Sequence, residues 1–209
     1  MSNRFIIAGV HTGIGKTIVS AVICQATGCH YWKPVQAGFE DGTDSNFIRS
    51  VVTHPNTIVH PERFLLNTPM SPHEAARIDG LQIQPEDFSM PQTDAPLLIE
   101  TAGGLMSPLA SGFLNIDLIR QLQLPVLFVT MDYLGSINHT LLSLAALNAA
   151  GIPVRGLIFS GSETASSREF IRQHTALPEL FSIPLLPELS SAYIQQAAQA
   201  VPKNLFQHE

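Results

Sequence analysis

The chain has 209 residues, 45% hydrophobic and 13% charged, with a formal net charge of −6. That length and apolar content suit one α/β domain spanning 1–209 rather than two, and the acidic balance argues against nucleic acid as a partner, because phosphate binding relies on clustered Lys and Arg. Cys24 and Cys29 form no disulfide framework and lack the companions of a zinc site, so they read as reduced thiols.

The apolar run Phe5–Val10 reads as the first strand; it is too short for a signal peptide, and no later run approaches a membrane span. A cytoplasmic protein without membrane partners is expected. Further strands are predicted at His30–Val35, Pro96–Thr101, Val126–Met131, Val154–Ser160 and Leu180–Leu185. These runs are continuously apolar, as a parallel sheet covered on both faces requires. Helices are predicted between and after them at Gly15–Ala26, Ser45–Val52, Ile116–Leu122, Ile137–Ala150, Ser166–Thr175 and Ser191–Ala200. Asn115 stands where an N-cap would serve the helix at Ile116, and Gly151 followed by Pro153 closes the Leu- and Ala-rich helix. The Pro- and Thr-rich stretch from about Val52 to Asp94 is irregular, with one short helix opened by Ser71-Pro72 and closed by Gly80. The alternation predicts a doubly wound, mostly parallel sheet with helices on both faces.

The most informative segment is Gly9-Val10-His11-Thr12-Gly13-Ile14-Gly15-Lys16-Thr17. It follows a predicted strand and opens a predicted helix, the context of a phosphate-binding P-loop. Its glycines let successive N–H groups converge on a phosphate, and the helix N-terminus adds positive charge. Lys16 would reach the β- and γ-phosphates of a nucleotide, and the Thr17 hydroxyl would ligate Mg²⁺. Five residues rather than four separate Gly9 from Gly15.

Glu100 ends the apolar run from Pro96 and precedes Thr101-Ala102-Gly103-Gly104. A carboxylate at the C-terminal end of a central strand points into the crevice where open α/β sheets bind ligands. Asp44, ahead of a helical stretch, reads on local grounds as an N-cap before it reads as a metal ligand. Lys33, in Trp32-Lys33-Pro34-Val35, lies at the same sheet end as the P-loop, where it would neutralise charge developing in phosphoryl transfer; a surface lysine is the alternative.

In chain order, the P-loop with its five-residue spacing, Lys33-Pro34-Val35, Asp44, Ser71-Pro72-His73, Glu100 with Ala102-Gly103-Gly104, and Leu134-Gly135-Ser136-Ile137-Asn138-His139 together resemble the dethiobiotin synthetases. The resemblance covers the first two-thirds of the chain; the remainder agrees only in pattern. It implies ATP- and Mg²⁺-dependent closure of a ureido ring from 7,8-diaminononanoate and CO₂, through a carbamate and a mixed carbamic–phosphoric anhydride. It also implies that Lys16, Lys33 and Thr12 serve catalysis and that Thr17, Asp44 and Glu100 hold the metal, a reversal of the N-cap reading of Asp44. The nucleotide would lie against Gly13, Ile14, Gly15, Lys16, Thr17, Ile18, Asp44, Glu100 and Gly103, with Ser160, Pro184, Leu185, Leu186 and Glu188 toward the base. The substrate would meet Thr12, Lys33 and Ala37, and, across a homodimer interface, the helix start at Ser136, Ile137 and Asn138, where an anion is favoured.

Four positions depart from the family pattern. Gly13 replaces a common acidic residue, Ala37 a usual hydroxyl residue, Thr101 a common glycine, and Phe159-Ser160-Gly161 an Asn-Asp-like pair that would read adenine. Ser160 offers only a hydroxyl, so relaxed nucleotide preference is expected. His11, His73 and His139 read as structural. The competing readings are a ParA- or MinD-like nucleotide switch, against which stands the absence of a second P-loop lysine, and a P-loop amidoligase, whose usual glutaminase domain has no room here.

Overall fold

The computed structural model describes residues 3–40, 42–161 and 165–206. In chain order the elements are β1 (Arg4–Gly9), α1 (Lys16–Thr27), β2 (His30–Trp32), β3 (Val35–Ala37), α2 (Asp44–Val51), β4 (Phe64–Leu66), α3 (Pro72–Ile78), β5 (Leu97–Glu100), β6 (Pro108–Ala110), β7 (Phe113–Leu114), α4 (Asn115–Leu122), β8 (Val126–Met131), α5 (Ser136–Ala149), β9 (Val154–Ser160), α6 (Ala165–Thr175), β10 (Glu179–Ile183) and α7 (Ser191–Ala197).

Six strands form the main sheet in the order β10-β9-β8-β1-β5-β2, and every pairing in it is parallel. Two-residue periodicity sends alternate side chains of β1 to opposite faces. Phe5 and Ile7 join Val19, Val22 and Ile23 of α1 and Ile194 of α7, whereas Ile6 and Ala8 join Ile116 and Leu118 of α4 and Leu144 and Leu147 of α5. Both faces are therefore covered, which is why the strands read as unbroken apolar runs. From β1 the chain first builds toward β2, and after β5 it crosses to β8 on the other side of β1. The loop after β1 thus lies at the point where strand order reverses, the place where such sheets bind ligands.

The predicted strand His30–Val35 divides. Its first half is β2, and its second begins β3, which pairs in parallel with β4 in a separate two-stranded sheet. Pro34 has no N–H to give to a ladder, and its carbonyl accepts from Arg63 N at 2.9 Å and Phe64 N at 3.0 Å. The chain leaves the main sheet there, immediately after Lys33. Strand β4 lies in the stretch read as irregular. Asn115 does not cap α4: it is the first helical residue, and Asp117 Oδ2 instead accepts from Leu114 N at 2.9 Å. Likewise Thr43 caps α2, its hydroxyl accepting from Asn46 N at 3.0 Å, and Asp44 is the first residue inside the helix. Among the described residues no helix is long and apolar enough to cross a membrane.

Candidate active site

The loop from Gly9 to Lys16 turns the chain from β1 into α1. Gly15, at the helix N-cap, has φ +88°, a left-handed conformation that side chains resist, and a Cβ there would lie 2.3 Å from Ser160 Oγ. Ser160, at the end of β9, is therefore packed against the P-loop backbone. Lys16 is buried and donates from Nζ to the His11 carbonyl at 2.8 Å. Burial pushes its ammonium down to about 8; Glu100 opposes that shift and Lys33 adds to it.

Glu100 lies one strand away. Parallel register pairs it with Ile7 of β1, so its side chain emerges on the α1 face beside the start of that helix. It is 1% exposed, and a carboxylate buried so deeply must be provided with donors. Thr17 Oγ1 donates to Oε1 at 2.8 Å, and Ser20 Oγ and Tyr31 Oη donate to Oε2 at 2.6 and 3.0 Å. Burial, with Glu100 beside it, holds the Tyr31 phenol well above its ordinary range, so it stays a donor.

Lys33 is also buried; it ion-pairs with Asp44 and stands 3.9 Å from Glu100 Oε1. Burial lowers its ammonium, and the carboxylates of Glu100 and Glu62 partly restore it. Asp44 is positioned through its backbone: Gln36 Oε1 accepts from its N–H at 3.3 Å, while Gln36 Nε2 donates to the Gly38 carbonyl at 2.9 Å.

The Thr101–Ser107 turn forms the far wall. Thr101 Oγ1 donates to the Ile7 carbonyl at 3.2 Å, so that hydroxyl serves the sheet. A Cβ on Gly104 would come 2.8 Å from the Val10 carbonyl, so glycine lets this turn lie against the P-loop. Asn115 Nδ2 donates to the carbonyls of Ala102 at 2.5 Å and Gly104 at 2.9 Å, tying the turn to α4. Gly103 follows Ala102 with its Cα near Thr12, whose Oγ1 would lie 3.5 Å from an added Cβ.

Thr12 is exposed at the mouth of a cleft of about 610 Å³ lined by Val10, His11, Gly104, Met106, Ser107, Leu142 and Ser143, among others. His11 meets the Tyr133 ring edge-on at 5.1 Å between centroids, and Tyr133 shares a 2.7 Å hydrogen bond with His139 Nδ1. These contacts connect the P-loop to the start of α5, where Ser136 is buried, Ile137 half-buried and Asn138 exposed. Ala37 is half-buried at the end of β3. Of the remaining P-loop residues, Gly13 is exposed, Ile14 is core and Ile18 packs at the core's edge.

Lys16, Thr17, Lys33, Asp44 and Glu100 are thus brought together, as anticipated. The residues expected toward the base come from the ends of neighbouring strands, since Ser160 pairs with Ile183, the residue before Pro184. Pro184, Leu185 and Leu186 line a cleft of about 300 Å³ with Ser182 and Tyr193, whereas Ser160 faces Gly15. The sequence reading overlooked Ser20 and Tyr31. Ser20 was within reach, because it follows Thr17 by one helical turn on the same face. Tyr31 required the β2–β5 register, which sets it opposite Leu98, on the same face as Glu100. A divalent cation fits the donors present: a hydroxyl and two carboxylates, all oxygen, suit Mg²⁺ rather than a softer metal.

A family model described as an AAA domain matches residues 3–193. Among curated relatives, the ATP-dependent dethiobiotin synthetase BioD of Agrobacterium fabrum is 43% identical over 94% of this chain and 93% of its own length. That of Brucella ovis is 43% identical over 91% and 90%, and that of Rhodopseudomonas palustris 41% over 94% and 92%. Solved structures with a similar fold include a ParA-family ATPase from Chlorobium tepidum, with TM-score 0.58, 14% identity and coverage of 96% of this chain and 100% of that one. The septum site-determining protein MinD of Pyrococcus horikoshii, complexed with Mg-ADP, has TM-score 0.58 and 14% identity, covering 98% and 89%.

Proposed function

The chain belongs to the ATP-dependent dethiobiotin synthetases, a family of C–N bond-forming ligases in biotin biosynthesis, and from that premise we propose how its own residues carry the reaction. The observation that supports the reading is the cluster of buried Lys16, Lys33 and Glu100 with half-buried Asp44 beside the P-loop.

An amine of 7,8-diaminononanoate takes up CO₂ to give a carbamate. A carbamate oxygen attacks the γ-phosphorus of ATP, breaking its bond to the β,γ-bridging oxygen, so that ADP leaves and a mixed carbamic–phosphoric anhydride forms. The second amine then closes the ureido ring, losing a proton and expelling phosphate. Lys16 holds the β- and γ-phosphates. Lys33, released from Asp44, faces the carbamate and the transferring phosphoryl group, where fixed positive charge in a site shielded from water is most effective. Thr12, at the mouth of the cleft, orients the diamine. Thr17, Glu100 and Asp44 would hold Mg²⁺, which would supply positive charge against the phosphates. Alignment of the reactants supplies a large share of the acceleration, since well-oriented groups reach effective molarities worth ~7–11 kcal/mol.

The active form we propose is a homodimer. The outer face of α5 carries apolar Leu142, Ala145 and Ala149 among polar Asn138, His139 and Asn148; Leu142 is 62% exposed and the preceding Leu134 fully so. A second copy on that face would bring its Ser136-Ile137-Asn138 helix start to the substrate carboxylate. Cys24 and Cys29 are free thiols, which suits the reducing cytoplasm. Ser160, which lies against Gly15, brings only a hydroxyl where the family pattern has an Asn-Asp-like pair, which supports a relaxed nucleotide preference; strict ATP selectivity in a competition assay would refute that part.

The decisive assay is phosphate release with Mg·ATP and bicarbonate, with and without 7,8-diaminononanoate, followed by mass spectrometry for dethiobiotin. Diamine-dependent turnover lost in Lys16→Ala and Lys33→Ala is expected. ATP hydrolysis indifferent to the diamine, with no dethiobiotin formed, would defeat the reading.

A further inference from the structure

The two oxygens of Glu100 have different surroundings. Oε2 receives hydrogen bonds from Ser20 Oγ at 2.6 Å and Tyr31 Oη at 3.0 Å, and both donors are fully buried. Each carboxylate oxygen offers about two lone-pair directions, so Oε2 is saturated. Oε1 receives one hydrogen bond, from Thr17 at 2.8 Å, and Lys33 Nζ at 3.9 Å is too distant to add another. One acceptor direction therefore remains on Glu100, and it lies on Oε1.

We propose that Ser20 and Tyr31 are positioning residues that confine Glu100 to one-oxygen coordination of a divalent cation, and thereby favour Mg²⁺ over Ca²⁺. The inference rests on the reading above of Glu100 as a cation ligand. Mg²⁺ takes single carboxylate oxygens at about 2.0–2.1 Å in a near-octahedral shell, whereas Ca²⁺, at about 2.3–2.6 Å with a larger shell, accepts a carboxylate through both oxygens. Turning Glu100 to offer both would break the Ser20 and Tyr31 hydrogen bonds inside the core, leaving buried hydroxyls without partners. Ca²⁺ thus loses its preferred mode at this carboxylate, and Mg²⁺ loses nothing. The geometry is held from two elements: Ser20 comes one turn after Thr17 on α1, and Tyr31 comes from β2, opposite Leu98 of β5.

The test is displacement of Mn²⁺ from the protein·ATP complex by Mg²⁺ or Ca²⁺, with free Mn²⁺ read by electron paramagnetic resonance. It is run for the native chain, Tyr31→Phe, Ser20→Ala and Glu100→Gln, with thermal midpoints alongside. In both hydroxyl variants the Mg²⁺/Ca²⁺ preference is expected to fall about tenfold, the order of one hydrogen bond to a charged group. Should Tyr31→Phe fail to fold, Ser20→Ala alone decides. An unchanged ratio, or equal loss of both cations, while Glu100→Gln still weakens binding, overturns the confinement and leaves the ligand assignment standing. Glu100→Gln binding both cations as the native chain does overturns the ligand assignment itself.

Discussion

Lys16 and Lys33 approach Glu100 from two directions, and burial lowers both ammoniums while that carboxylate raises them. Lys16, at about 8, loses its proton far more readily than an exposed lysine. A bound phosphate favours the charged form, so nucleotide binding should take up a proton above that pH. The expected outcome is that Mg·ATP affinity falls as pH rises through 8, by up to about tenfold per unit. A titration of the dissociation constant across that range checks this, and a flat profile would mean that Lys16 stays charged. Gly15→Ala is expected to weaken ATP binding and to destabilise the fold by about 1–2 kcal/mol from the left-handed backbone alone. Because the new Cβ would also meet Ser160 Oγ, adding Ser160→Ala should recover only part of the loss in calorimetry.

At the level of elements, two features of the site depend on how neighbouring pieces are joined. The first is the Thr101–Ser107 turn. Its carbonyls at Ala102 and Gly104 are satisfied by Asn115, which is 0% exposed. Asn115→Ala removes both bonds at a cost of about 1–3 kcal/mol, a shift visible as a lower urea midpoint with an unchanged slope. The second is the edge strand β2, where His30 Nδ1 lies 3.1 Å from His60 Nε2. Burial lowers both imidazoles from 6.5, and His30 lowers His60 further. The unfolded chain therefore binds more protons than the folded one as pH falls below 6.5, and stability is lost in that direction. His60→Gln is expected to flatten the fall of the thermal midpoint over that acid range; an unaltered slope would assign the acid sensitivity elsewhere.

On the scale of the whole molecule, fold and family point to different company. The solved structures of similar fold include a ParA-family ATPase and the septum site-determining protein MinD, both at 14% identity, which establishes shared architecture alone. The curated relatives at 41–43% identity are ligases, so the switch reading yields to the ligase. The outer face of α5 carries the prediction at this scale: Leu142→Asp, on a leucine 62% exposed, should dissociate the proposed homodimer in sedimentation velocity while leaving the monomer's circular dichroism intact. A native chain that sediments as a monomer would remove the shared substrate site with it.

What the sequence determined by itself is what short-range chemistry encodes. Apolar runs and their lengths marked the strands of the main sheet and the major helices, and Gly15-Lys16-Thr17 after a strand marked the phosphate loop. Position at a strand end singled out Glu100 and Lys33. Local rules misplaced Asn115 and Asp44, because a capping residue is chosen by competition among neighbours: Asp117 and Thr43 took those places, and tertiary partners took the other two. They also missed the break at Pro34, whose carbonyl is claimed by residues about thirty positions on. Only the tertiary structure decided which way Ser160 faces, that Asp44 pairs with Lys33, and that Ser20 and Tyr31, separated from Glu100 by 80 and 69 positions, fill one of its oxygens. These depend on strand register and sheet order, which are set by burial of the whole core and not by any segment's own pattern.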